Sequence, residues 1–428
     1  MSRAVRVVFA AHGSLGDLVP FLEIGKVLVA RGHEVTVATH AAHRAAVEAA
    51  GLRHAAMRPD RPDDPAFHAR FMARRSGAAF AYKSFLVPAI ADSDADLMAA
   101  VEGADVLVSV TLALAAPLVA ARTGIPWRSA VFQPAMLFSA LDPPRLPMLP
   151  LIRGAPRWNG HVLEAARKGV ESWAAPLRAY RSKAGLGAYP DHPAFGGQHA
   201  PEGVLALYSP LFGSLPADAP PHTCQTGQVL QTGGPPLAPQ IADFLSAGSP
   251  PIVFTLGSAS AHVARGFFAR GAAIARRLGE RALLLTGRAD AAAGIEGDRT
   301  VMVAPSAPYH TVFGKARLIV HQGGLGTTAL AVAAGRPMLI LPFAHDQIDN
   351  AARAARAGFA RVAPHWLFAA RGRQLVQSVM SDTTLQQRVA QAGRVIRLES
   401  GTECAAAEIL RAAQVPPHCR RKSRKVPL

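Results

Sequence analysis

Two doubly wound α/β domains are what this sequence predicts, and three observations lead there. The chain has 428 residues, more than one hydrophobic core usually organises. Apolar runs of strand length alternate with helix-spaced segments through residues 1–130, and the alternation restarts near residue 251. Repeated strand–helix–strand units of this kind build a parallel sheet covered on both faces. Between the two series lies Gln231-Thr232-Gly233-Gly234-Pro235-Pro236, a break with the composition of an interdomain connection. Half of the residues are apolar and 18% are charged, a balance that favours a buried core over disorder.

In chain order, residues 5–10 form an apolar first strand, followed by the turn His12-Gly13-Ser14-Leu15-Gly16. Helix spacing covers 18–30 and stops at Arg31-Gly32-His33. A strand at 34–39 leads to a helix at 41–50 that ends on Gly51. Strands at 106–110 and 127–132 flank a helix at 114–122. From 133 to 200 the alternation lapses. Pro134, Pro143, Pro144, Pro147, Pro150 and Pro156 punctuate an apolar stretch that reads as a long functional loop. Residues 204–208 return to strand. In the second half, strands at 252–255, 282–285, 317–320, 338–341 and 359–362 alternate with helices, the first at 267–278. A helix at 401–413 closes the series. The division is therefore an N-terminal domain over 1–232, a linker over 233–250, a C-terminal domain over 251–415 and a basic, disordered tail over 416–428.

Net charge is +17, of which Arg420, Arg421, Lys422, Arg424 and Lys425 supply five. A basic balance serves nucleic acid, anionic lipid or phosphorylated substrates. No nucleic-acid signature accompanies it, so no nucleic-acid partner is expected. The plain reading is a solvated basic surface, with weak peripheral attraction to the anionic inner face of a membrane as a further expectation. Cys224, Cys404 and Cys419 lack metal or redox spacing, which fits a reducing cytoplasm. The sixteen histidines include no ligand-spaced set, and no metal is expected. Residues 1–6 have no signal-peptide layout. The longest uncharged apolar run, 106–121, is broken by Ser109, Thr111 and Pro117 and is too short to span a bilayer.

The most informative segment is Leu318-Ile319-Val320-His321-Gln322-Gly323-Gly324-Leu325-Gly326-Thr327-Thr328. A strand runs into glycines, and a helix begins near Thr327. Glycines let backbone amides approach an anion closely, and a helix N-terminus adds unpaired N–H groups and a favourable dipole. Thr327 and Thr328 carry hydroxyls for phosphate oxygens, and His321 carries a donor at the strand end. Such strand ends are where ligands bind in open α/β sheets. The next strand ends in Pro342-Phe343-Ala344-His345-Asp346-Gln347, which brings a carboxylate and an amide suited to sugar hydroxyls. A plainer reading makes Asp346 a helix N-cap and Gln347 a surface residue.

Together, His-x-Gly-Gly-x-Gly-Thr-Thr and the later Pro-Phe-x-x-Asp-Gln-x-x-Asn-Ala, here Pro342 to Ala351, resemble the family 1 glycosyltransferases. Phe254-Thr255-Leu256-Gly257-Ser258 is similar to the family's first donor-side phosphate loop. The resemblance runs over residues 5–413. It implies the GT-B fold, two Rossmann-like doubly wound domains facing a central cleft. It implies a nucleoside diphosphate sugar as co-substrate, with no cofactor and no metal. His321 would serve catalysis, and Gly257, Ser258, Gly323, Gly324, Gly326, Thr327, Thr328, Asp346 and Gln347 would bind the donor. Many members carry a Glu eight residues after the motif His to bind ribose hydroxyls. Ala329 stands there, which disfavours a donor held through its 2′-hydroxyl. The base-holding region has no Trp, and Tyr309 in Pro305-Ser306-Ala307-Pro308-Tyr309 is the aromatic available.

In the first half, Gly13-Ser14-Leu15-Gly16-Asp17-Leu18-Val19-Pro20 resembles the family's Gly-Asp-x-x-Pro, which assigns the general base to Asp17. An inverting transfer needs a base beside the acceptor hydroxyl, opposite the departing diphosphate. At a helix start an Asp is expected to have a low pKa. The plainer reading of Asp17 is an N-cap. His12 and Ser14 are accessory candidates. The same turn, with Phe132-Gln133-Pro134 and Asp142-Pro143-Pro144-Arg145-Leu146-Pro147, is similar to the rhamnosyltransferases of rhamnolipid synthesis and their bacterial relatives. That resemblance implies a hydrophobic, lipid-like hydroxyl acceptor, with which Met136, Leu137, Phe138, Leu141, Leu146, Met148 and Leu149 agree; ordinary core packing explains them equally. Polyketide or sterol acceptors and a catalytically silent sugar-nucleotide-binding partner are the alternatives. An epimerase would need acid/base groups on both sugar faces, which are not identifiable.

Overall fold

The computed structural model describes residues 3–257, 260, 266–288, 291 and 293–414. The first sheet contains β1 (Arg6–Ala10), β2 (Glu34–Thr39), β3 (Arg53–Ala56), β4 (Val106–Val110), β5 (Trp127–Val131), β6 (Val204–Ala206) and β7 (Cys224–Gln225). Its order is β3-β2-β1-β4-β5-β6-β7. The second contains β8 (Ile252–Thr255), β9 (Ala282–Leu285), β10 (Val301–Ala304), β11 (Leu318–His321), β12 (Met338–Ile340) and β13 (Ala360–Val362), ordered β10-β9-β8-β11-β12-β13. Every pairing is parallel. Parallel strands are covered on both faces, so their sequences are continuous apolar runs. The VLVSV of β4, IVFT of β8 and ALLL of β9 are buried throughout.

Each sheet reverses its order beside its first strand, between β1 and β4 and between β8 and β11. Such switch points leave a crevice at the strand C-termini. The turn at Gly13 leaves β1 there, Gly257 leaves β8, and His321 ends β11. Topology alone therefore gathers three separated sequence motifs at crevices.

Several elements differ from the sequence reading. The helix after β1 spans Leu15–Ala30, a turn earlier than predicted, because Ser14 caps it. The supposed loop over 133–200 contains helices Pro156–Gly169 and Glu171–Lys183. Each buries only two residues, Asn159 and Leu163 in the first and Ala174 and Leu177 in the second. The expected linker over 233–250 holds the helix Pro239–Ser246, whose Ile241, Phe244 and Leu245 pack in the core with Val253 and Leu283.

The final helix, Gly401–Ala413, departs from the predicted C-terminal domain of 251–415. It crosses back and packs on the Leu15–Ala30 helix, burying Ala405, Ala406, Ile409 and Ala412 in the first core. Small residues at helical spacing permit that close approach. Glu399 fixes the crossing, accepting from the Ser209 hydroxyl and, at 2.7 Å, from the Gln228 amide.

The two halves also share packing. Val131, Tyr208 and Phe212 lie in one buried cluster with Val253, Ile319 and Phe359. Phe212 meets Phe359 edge-on at 6.3 Å. Beside them Arg353, 1% exposed, donates through Nε to Asp349 Oδ2 at 2.6 Å and through Nη1 to Asp142. The Arg145 amide donates to Asp349 Oδ1 at 2.8 Å. Asp142 and Arg145 belong to the first half, and Asp349 and Arg353 to the second. Removing one partner leaves buried charge uncompensated. Arg353→Gln is therefore expected to cost about 3 kcal/mol, read as a lowered urea midpoint. A wild-type midpoint would show that this strut contributes nothing.

Candidate active site

The donor side is built on β11 and the Leu325–Ala333 helix. His321 has no solvent exposure. The Gly323 amide donates to its Nδ1 at 3.1 Å. An amide only donates, so Nδ1 is the unprotonated nitrogen and the proton sits on Nε2. Burial lowers the ring's pKa to about 3, which keeps it neutral. Nε2 is buried and, among the described residues, has no hydrogen-bond partner. A buried N–H without an acceptor is costly, and a ligand oxygen at this point removes the cost.

Glycine is required around this imidazole. Gly323 has φ of 94°, and a Cβ there would come 2.8 Å from Ile340 Cγ2. A Cβ on Gly257 would lie 2.5 Å from Gln322 Nε2. Gly324 caps the helix without a side chain, so first-turn amides are left for an anion. Gly326 is exposed and Thr327 half-buried on that turn. Thr328 corrects the expectation: it is buried and its hydroxyl donates to Gly324 O at 2.9 Å, so it closes the turn instead of reaching phosphate. Ser258 lies outside the described residues. Tyr309 stacks on Phe313 at 4.7 Å, and its hydroxyl meets Thr255 Oγ1 at 2.5 Å. One ring face and the hydroxyl are thus already engaged.

Asp346 and Gln347 differ from each other in role. Gln347 is buried; its Oε1 accepts from the Phe343 and Ala344 amides at 3.0 and 3.2 Å, and its Nε2 donates to Ser260 Oγ at 3.1 Å. It braces the loop, with one amide hydrogen left over, against the expected full sugar clamp. Among the described residues Asp346 makes no side-chain capping bond, and its Oδ2 accepts from Asn350 Nδ2 at 2.7 Å. Asn350 also donates to Gly323 O at 3.2 Å, tying the carboxylate to the His321 loop. Its spacing of four from Asp346 on a helix was the available signal. His345 just before them holds φ of 55°, and its Nε2 meets Phe71 O at 2.8 Å. Left-handed backbone at a non-glycine residue costs about 1–2 kcal/mol, a strain that clusters at functional sites.

On the facing side, Ser14 is the N-cap and Asp17 the third helical residue of a reciprocal capping box. The Ser14 amide and hydroxyl both donate to Asp17 Oδ2, at 2.7 and 3.1 Å. That leaves Oδ1 for an incoming hydroxyl. The return of Asp17 onto the turn demands Gly13, where a Cβ would overlap Asp17 Oδ2. Burial pushes the Asp17 carboxyl up, against the low value its helix position suggested, while Ser14 opposes the shift. His12 is 3% exposed, packed on His40 at 5.0 Å between centroids, and held near a pKa of about 3 by burial and by His40. Its burial against His40 fits a packing residue.

The two sides meet. Burial and then the charge of Asp17 raise Asp346 to about 7. Near Asp17 stands Arg61, half-buried and, among the described residues, without an ion pair. Burial lowers its pKa and Asp17 opposes that. Its charge in turn favours ionised Asp17. Arg61 and its neighbour Phe71, 5.3 Å away, had no sequence signal, because a loop residue's place in a cleft is set by tertiary contacts. Asp63 of the same loop pairs with Arg288 of the second half at 2.8 Å. Among the described residues no three His, Cys, Asp or Glu groups gather as a metal site.

These shifts have a sign. Both acids are raised, so ionising them weighs on the folded state as pH rises from the ordinary carboxylate range through about 7. Asp346→Asn removes the mutual repulsion and lets Asp17 ionise more easily. The acid limb of kcat/KM against pH is expected to move to lower pH in that variant. A limb that stays in place or moves up would separate the two carboxylates.

A strand-end imidazole donor, an uncapped helix N-terminus and an opposing carboxylate make a cleft for transfer away from an anionic leaving group. Comparison with known proteins agrees. No family model matches the chain. It is, however, 31% identical over 420 residues to the O-mycaminosyltylonolide 6-deoxyallosyltransferase of Streptomyces fradiae, across 93% of this chain and 95% of that protein. This chain belongs to the family 1, GT-B type glycosyltransferases. The glycosyltransferase also matches the fold of the kitacinnamycin glycotransferase, with a TM-score of 0.71 at 22% identity over 96% of this chain and 100% of that one. The glycosyltransferase VinC, solved in complex with dTDP, gives 0.68 at 20% identity over 96% and 100%. The two sheets are thus the two Rossmann-like halves of GT-B, and the protein is an enzyme that transfers sugars.

Proposed function

We propose that this glycosyltransferase inverts the anomeric centre while moving a deoxyhexose from a dTDP-sugar to a hydroxyl of a lipophilic, polyketide-type acceptor, without a metal. The observation that carries the donor half is the buried, unpartnered Nε2–H of His321 beside an uncapped helix N-terminus. Those groups neutralise developing diphosphate charge, the task a cation performs elsewhere. Asp17 Oδ1 takes the acceptor proton. Ala329, with no exposure, offers nothing to a ribose 2′-hydroxyl, which supports deoxyribose in the donor. A similar fold that holds dTDP and a relative that transfers a deoxyallosyl group onto a tylonolide support the same classes.

Thermal-shift and turnover measurements with matched dTDP- and UDP-sugars test this reading, since a ligand of the native state raises the melting point. The dTDP-deoxyhexose is expected to bind at least about tenfold tighter, roughly 1.4 kcal/mol, and transfer should survive EDTA. Preference for the UDP-sugar would overturn the nucleotide assignment, and loss in EDTA with recovery in Mg²⁺ the metal-free mechanism.

A further inference from the structure

Residues 143–163 contain no acidic side chain and carry Arg145, Arg153 and Arg157. All three arginines are exposed, and among the described residues none forms an ion pair. Between them stand large apolar side chains in water: Met148 is 64% exposed, Ile152 55% and Trp158 49%. Met148 is therefore not a core-packing residue, the plainer reading of the apolar stretch.

The display is built, not slack. Asn159 has no exposure and makes three bonds to this loop. Its Nδ2 donates to Ala140 O at 2.9 Å and Ile152 O at 2.8 Å, and its Oδ1 accepts from the Ile152 amide at 2.8 Å. Trp158 Nε1 donates to Pro150 O at 2.8 Å. The backbone at Ile152 and the indole of Trp158 are thus both fixed to this loop while their side chains stay exposed. The same segment is anchored beside the cleft through Arg145 and Asp349, three residues after Asp346.

We propose that this face docks on an anionic lipid surface, with Met148, Ile152 and Trp158 in the headgroup–acyl boundary and Arg145, Arg153 and Arg157 against lipid phosphates. Exposed apolar groups rimmed by cations, with a Trp whose ring is apolar and whose N–H is satisfied, suit that boundary. The charge decides the occupant. A second copy would set arginines against arginines across a twofold interface, which repels. A net charge of +17 draws the whole chain toward anionic surfaces. Docking there opens the acceptor side of the cleft to hydrophobic molecules partitioned in the bilayer.

Flotation of the full chain with phosphatidylglycerol–phosphatidylcholine vesicles, against phosphatidylcholine alone, tests this. Wild type should float with the anionic vesicles and release at high salt. Ile152→Ser with Trp158→Ser, and Arg153→Glu with Arg157→Glu, should each lower partition by about tenfold or more. A variant with Arg420, Arg421, Lys422, Arg424 and Lys425 all changed to Gln should keep most of it. Failure of wild type to float overturns the proposal, as does equal flotation of the face variants or loss in the tail variant alone. A wild-type dimer in sedimentation that Ile152→Ser with Trp158→Ser dissolves also overturns it, in favour of a copy–copy interface. Transfer to a water-soluble acceptor, measured without vesicles, should be unchanged in these variants, so failure here is distinct from failure of the transferase reading.

Discussion

His321→Ala is expected to lower kcat by roughly 10²- to 10³-fold, with a much smaller change in donor affinity. The reason is the tautomer. The Gly323 amide holds Nδ1 as an acceptor, so the single proton sits on Nε2 at the C-terminal end of β11. Charge on the diphosphate grows as the glycosidic bond breaks, so this donor is worth more in the transition state than in the ground state. The ring is neutral because burial suppresses its protonation, and raising the pH from 5 to 8 should not titrate it. Folding should persist, because β11 is held on both sides by backbone bonds to β8 and β12. Circular dichroism and the donor-induced melting shift separate a chemical loss from an unfolded protein. Wild-type turnover in the folded variant would remove His321 from catalysis.

Asp17→Asn carries the other large effect. It keeps an acceptor oxygen for the Ser14 amide and removes the proton-accepting charge. Transfer should fall by roughly 10²- to 10⁴-fold. Donor affinity should change little, because the donor groups lie on the second sheet. Stability should fall by about 1 kcal/mol or less, the usual worth of a capping interaction. A purely structural role predicts the reverse pattern, with lost stability and near-normal transfer. Near-normal transfer would move the base to another group, with His12, packed on His40 just after β1, the next residue to test.

Local patterns were legible wherever a residue's task depends on its chain neighbours. The strands at 34–39, 106–110, 252–255 and 282–285 coincide with the folded elements, since buried parallel strands are unbroken apolar runs. The glycines at 323 and 324 announced a tight turn after β11, where a Cβ on Gly323 would meet Ile340. Edge strands were less legible. β3 reads Arg-His-Ala-Ala and β7 has two residues, so neither carries an apolar signal. Helices Pro156–Gly169 and Glu171–Lys183 went unread because their faces are largely solvated.

By itself, the sequence determined the α/β class, the two series of strands and the candidates His321, Asp346 and Asp17, because periodicity and glycine turns are properties of neighbouring residues. Only the tertiary structure decided which of those candidates are free to act. It spent Thr328 and most of Gln347 on internal hydrogen bonds, buried His12 against His40, and left Nε2 of His321 unpaired. It brought Arg61 near Asp17 and, by burial, raised the carboxyls of Asp17 and Asp346. It also returned the last helix to the first sheet. Burial, hydrogen-bond occupancy and charge proximity depend on residues hundreds of positions apart, and no local pattern encodes them.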